Sequence, residues 1–117
     1  MKKENDEWPE SLDAVASAPE HHRVLFENEH VRVLDTRVPP GGRVLLHTHK
    51  WPSVVYTISS GDFVRSDADG NTTLDTRSAN LTVEPGSAMW LPPLEPHAIE
   101  NVGPTEMRAV TVELKSS

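Results

Sequence analysis

The 117-residue chain contains no cysteine, which excludes disulfides, thiolate metal sites and a cysteine nucleophile. Histidine and carboxylate are left as the only strong metal ligands. Positive charge is also short. Eleven Lys and Arg stand against 18 Asp and Glu, a formal net charge of −7, and the cations are scattered rather than gathered into the basic stripe that tracks phosphates. No nucleic-acid partner is expected. No uncharged apolar run approaches membrane-spanning length, and the opening MKKENDEWPE lacks the apolar stretch of a signal peptide. These absences lead to the expectation of a cytoplasmic protein with no membrane partner. There is no Gly-rich phosphate loop, nucleophile elbow or Ser-His-Asp order, and the length suits one domain with a modest core.

What is present divides in two. Residues 1–22 are polar and acidic, with Pro9 and Pro19 bracketing the only stretch, Ser11 to Ala18, that suits a short helix. This segment reads as an N-terminal arm, either partly disordered or packed through Trp8 onto the domain or a partner subunit. Residues 23–117 form short β-branched runs separated by Gly, Pro, Asn and Asp, the pattern of an all-β sandwich or barrel. The expected strands are Arg23 to Phe26, Val31 to Val38, Arg43 to His49, Val54 to Ser59, Phe63 to Ser66, Thr72 to Thr76, Ala79 to Val83, Ser87 to Leu91, His97 to Asn101 and Met107 to Leu114. Asp69-Gly70, Pro39-Pro40-Gly41-Gly42 and Pro85-Gly86 supply turns. No helical period interrupts the strands.

Three of the six histidines carry a chemical signal. His47 and His49 are two apart, so on a strand they share a face, which Leu45 and Trp51 mark as interior. Two adjacent buried imidazoles are costly unless each finds a partner, and a divalent metal satisfies both at once. His97 opens a later strand on which alternation places His97, Ile99 and Asn101 on one face and Ala98 and Glu100 on the other.

Two motifs organise these residues. Gly41 is followed by five residues and then by HTHKWPSVVYTISSG, which ends at Gly61. Gly86, Pro92, His97 and Asn101 repeat every spacing of a second motif, in which Leu94 replaces an inner glycine. The chain thus resembles the cupins over roughly residues 24–114. The resemblance implies a single-domain, all-β, double-stranded β-helix (jelly-roll) barrel, with His47, His49 and His97 binding a divalent metal, Fe, Zn, Ni or Mn. The family's usual glutamate ligand is missing. Its position, separated from Gly61 by six residues, is Val54, and Ser53 precedes it. A three-histidine site follows, acting on a small anionic or chelating molecule as a non-haem metal-dependent dioxygenase or an isomerase. The alternative is a non-catalytic module that binds a small ligand or metal. Losing the carboxylate leaves the metal one unit more positive and favours an anionic ligand.

Around this site, Trp51, Ser53, Val54, Arg43 and Asn101 are the pocket candidates, and Tyr56 is the candidate acid. Tyr56 and Ile58 share the face of Val54, and Tyr56 equally suits a barrel-filling role. Arg43 shares the nominal face of His47 and offers a cation to an anionic substrate. His21, His22 and His30 lie outside both motifs and are expected to be solvent-exposed. The resemblance also implies a homodimer, with the arm suited to exchange between subunits.

Overall fold

The computed structural model describes residues 8–115. Nine strands are present in this span: β1 (His22–Glu27), β2 (Val31–Val38), β3 (Arg43–His49), β4 (Ser53–Ser59), β5 (Phe63–Asp67), β6 (Thr72–Asp75), β7 (Ala88–Leu91), β8 (Leu94–Asn101) and β9 (Met107–Leu114). They form two antiparallel sheets, one in the order β1-β2-β9-β4-β7 and the other β3-β8-β5-β6. This is the jelly roll expected of the sequence, with the two sheets hydrogen-bonded separately. No helix among the described residues is long and apolar enough to cross a membrane.

Strand and turn chemistry act locally, so most elements fall where the sequence places them. Gly41, Gly70 and Gly86 all adopt positive φ, the left-handed conformation that their turns require. At the β5–β6 hairpin the Asp67 carboxylate accepts hydrogen bonds from the backbone N–H of Asp69 and Asn71, both at 2.9 Å. The expected strand from Ala79 to Val83 does not form. A short helix, Thr76–Ala79, precedes it, capped by the Asp75 side chain on the N–H of Arg77 and ended by Asn80 in the left-handed region, and residues 81–83 carry no regular element.

The arm docks on its own chain. A 3-10 turn (Glu10–Leu12) and α1 (Ala14–Ser17) lie against β3, where Asp13 bridges to Thr48 and the Ser17 hydroxyl donates to the carbonyl of Leu46. Ala14 and Ala18 are fully buried. The arm boundary expected after residue 22 falls inside β1, whose first residue is His22. Residues 1–7, on which the question of a disordered start rests, lie outside the described span.

The apolar core is small. Ala18, Val38 and Val44 form it, with Ile99 and Met107 packed against them. The remaining space between the sheets is a cavity of about 220 Å³. Polar side chains occupy much of the rest of the interior, including His22, His47, His97, Asn101 and Glu113.

Candidate functional site

Four histidines, not three, line the cavity: His22, His47, His49 and His97. The ring centroids of His47 and His97 are 4.3 Å apart, and those of His47 and His49 are 5.1 Å apart. His22 stands 5.1 Å from His47 and 5.4 Å from His49. One potential ligand atom from each of His22, His47 and His49 falls within 4.8 Å of the others. His97 lies on the 5.9 Å side of His49 and joins the group through His47.

His22 corrects the sequence reading, which left it exposed outside both motifs. It is 3% exposed and pairs in register with Thr36 of β2, so the β1–β2 ladder turns it toward the cavity. The available signal was period-two alternation carried from β2 to β1, but that requires knowing the register.

The hydrogen bonds fix the histidine tautomers. Nδ1 of His47 faces the Leu45 carbonyl at 2.8 Å, Nδ1 of His97 faces the Glu95 carbonyl at 2.6 Å, and Nδ1 of His22 faces the Ala18 carbonyl at 3.0 Å. A carbonyl only accepts, so each Nδ1 carries the proton and donates it, leaving Nε2 with a free lone pair. His49 donates in the same way from Nδ1 to the Glu113 carboxylate at 3.0 Å. Burial, reinforced by the neighbouring rings, lowers His22 to about 4 and His47 to about 2. Burial also lowers His97 to about 4, against the hydrogen bond to Glu95. These three rings are therefore neutral and ligand-ready near pH 7.

Glu113 was not singled out in the sequence. It is fully buried on the inward face of β9, opposite both Arg32 and Ser53. Burial alone raises its pKa, but the hydrogen bonds from His49 and Arg32 outweigh that and hold it below the usual carboxylate range. Arg32 continues the chain of contacts to Asp13, which it grips through two nitrogens at 2.9 and 3.0 Å. The arm, β2, β9 and β3 are thus joined by one buried network ending on His49.

The other pocket candidates fall elsewhere, for two physical reasons. A β-bulge between Val44 and His47 inserts a residue and flips the alternation of β3. Val44 and His47 both point inward, whereas Leu45, 62% exposed, and Arg43 point outward. The interior marker Leu45 and the cavity role of Arg43 are corrected accordingly. On β4, Ser53 and Thr57 are buried and Val55, Thr57 and Ser59 line the cavity, so Val54 and Tyr56 lie on the outer face. Tyr56, 48% exposed, has no place in the site as an acid. Trp51 stacks against Arg32 at 5.0 Å and Lys50 at 4.7 Å instead of walling the cavity. Asn101 is a clamp: its amide donates to the carbonyls of Val38 and Thr105 and accepts from Gly103. Ser53 is interior, beside Glu113 in the ladder.

No protein-family model matches the chain. An uncharacterised protein of Methanocaldococcus jannaschii is 30% identical over 82 residues, which are 70% of this chain and 58% of that protein. The chain therefore spans 58% of the length of the curated relative it matches. A cupin domain from Bordetella pertussis Tohama I superposes with a TM-score of 0.66 at 27% identity, covering 81% of this chain and 92% of that one. An RmlC-like cupin family protein with a double-stranded β-helix fold, from Methanocaldococcus jannaschii, gives a TM-score of 0.57 at 16% identity, over 80% of this chain and 77% of the other. This last likeness is one of fold alone.

Proposed function

Because this chain belongs by its fold to the cupin superfamily, we propose that it holds a divalent metal ion through His22, His47, His49 and His97 and acts there on a small anionic or chelating molecule. The carrying observation is that all four imidazoles commit Nδ1 to an acceptor outside the cluster. Ligand atoms of His22, His47 and His49 within 4.8 Å of one another, with His97 beside His47, suit a borderline cation such as Fe(II), Zn(II), Ni(II) or Mn(II). Imidazole donors bring no negative charge to an ion, so it keeps its full charge toward a ligand. When bound, the metal supplies Lewis-acid polarisation and, as iron, the capacity to activate dioxygen.

Oxidation of the bound molecule is the reaction we favour over isomerisation. Among the described residues that line the cavity there is no carboxylate and no tyrosine, so an isomerase would have only the histidines for acid–base work. The same lining supports the second reading, a non-catalytic module that binds a small ligand or metal. Elemental mass spectrometry of untagged protein purified without added metal tests the site, with His47→Ala beside it. Near-stoichiometric metal lost in the variant supports the reading, and its absence from both proteins overturns it. Oxygen consumption with ferrous iron and small acids then separates oxygenase from binding module.

We further propose that the working unit is a homodimer formed through the outer face of the five-stranded sheet. Phe26, Val33, Val112, Val54 and Trp90 follow one another across β1, β2, β9, β4 and β7 in a single register row. Phe26 and Trp90 are 54% and 58% exposed. Five strands at about 4.8 Å spacing, up to eight residues long, make a face of about 24 by 26 Å. That is on the order of the ~800 Å² per partner of a stable interface, and a two-fold dimer pairs the same patch of both copies.

A further inference from the structure

Arg65 differs from every other arginine among the described residues. Arg32 pairs with Asp13 and Glu113, Arg37 and Arg108 with Asp35, and Arg77 with Asp75, while Arg23 and Arg43 are exposed. Arg65 is half-buried and makes no ion pair, and its Nε is buried with no hydrogen-bond partner. Burial lowers its pKa from the ordinary arginine value. A guanidinium with a buried Nε and no counter-charge is destabilising, and folds generally keep one only when something else completes it.

Its position indicates what completes it. Arg65 lies on β5 opposite Ile99 of β8, two residues along that strand from His97. It lines the histidine cavity and also a second cleft of about 530 Å³, bounded by Trp8, Pro92, Pro93, Glu95 and His97. Arg65 therefore lies on the wall shared by that cleft and the histidine cluster. The rest of the cavity is mainly apolar, with Val44, Val55, Phe63, Met89 and Ile99 among its walls. A doubly charged or sugar-like ligand would leave polar groups unmet on those walls.

We propose that Arg65 is the anion-recognition residue of this site, and that the ligand is a compact carboxylic acid with an apolar body whose carboxylate takes the fork of the guanidinium. Planar bidentate geometry matches carboxylate to arginine. A cavity of about 220 Å³ is smaller than the roughly 300–1,000 Å³ of drug-sized pockets, which limits the body to about one ring. The proposal deepens the anionic-ligand part of the reading above and shares its cavity, but it does not need the metal to be present.

Benzoate is the probe, titrated calorimetrically into the full chain in chelator-treated and zinc-loaded forms, with benzyl alcohol as the uncharged control. Wild type is expected to bind benzoate at least about tenfold more tightly than benzyl alcohol, as loss of a charge-assisted bidentate pair implies. Arg65→Met should erase that preference, Arg65→Lys should retain part of it, and both should take up zinc as wild type does. Arg65→Met should also melt at an equal or higher temperature, because it removes a half-buried cation whose Nε has no partner. Equal benzoate affinity in Arg65→Met and wild type, or no benzoate binding by wild type in either form, overturns the proposal. Benzoate binding by the chelated protein that depends on Arg65 keeps it standing even if zinc fails to bind. Zinc uptake without any benzoate preference sinks this inference and leaves the metal reading intact.

Discussion

The Glu113 carboxylate accepts a hydrogen bond from Nδ1 of His49 at 3.0 Å, although the two residues are 64 apart in the chain and on different sheets. A carboxylate behind a ligand histidine orients the ring and raises the basicity of its free nitrogen. Glu113 is held in turn by Arg32, and Arg32 by Asp13, so the N-terminal arm contributes to the stiffness of the site.

Glu113→Gln should keep the fold and weaken zinc binding about 10- to 100-fold, the usual cost of losing such a partner, as read by competition with a chromophoric chelator. Glu113→Ala should in addition lower stability by about 3–5 kcal/mol, because Arg32 loses a buried counter-charge. Unchanged zinc affinity in both variants would mean that His49 is not a ligand.

Asp13→Ala should lower unfolding stability by about 3 kcal/mol in a urea titration, because it leaves a buried arginine half paired. The same loss in a protein lacking residues 1–18 would be larger, since the buried Ala14 and Ala18 go too. An arm that could be removed without effect on the urea midpoint would contradict the packing seen here.

His22→Ala is the variant that separates a four-histidine cluster from the three-histidine site of the motifs. It should lower zinc affinity measurably while His21→Ala, whose ring bonds to the Arg37 carbonyl at the surface, leaves it unchanged. Val54→Glu should not tighten metal binding, because Val54 faces away from the cavity. It should instead shift the protein toward monomer in sedimentation, together with Trp90→Ser.

Acid should destabilise the metal-free protein. His22 and His97 are held at about 4 in the fold against an ordinary value of 6.5, and His47 at about 2. Between about pH 6.5 and pH 4 the unfolded chain therefore binds protons that the folded chain refuses. Stability is complete above the upper limit and is lost as pH falls, at up to about 1.4 kcal/mol per pH unit for each such histidine. The depressed carboxyls of Glu113 and Asp13 act with the same sign at lower pH. Urea midpoints across this range check it, and a midpoint that rises on acidification would exclude buried neutral histidines.

Much of this molecule is readable along the chain. Val31–Val38, Arg43–His49 and Met107–Leu114 are strands from end to end, because β-branched runs between turn residues leave few alternatives. His47, His49 and His97 come together because both motifs sit on paired strands, β3 and β8. The Asp75 cap was equally local, and the helix it starts ends in a left-handed turn at Asn80, inside the expected strand.

The rest depended on contacts between distant segments. The bulge after Val44 reverses which side chains of β3 face inward, and no rule internal to that strand announces it. His22 enters the site through the β1–β2 register, Glu113 through its pairing with both Arg32 and Ser53, and Arg65 through the approach of β5 to β8. Sequence determined most of the strands, the turns and the motif histidines, since these follow from backbone preference and spacing. Tertiary structure decided the fourth histidine, its anionic support and the unpaired cation, because burial of a charge or an imidazole is set by what the other sheet brings opposite it.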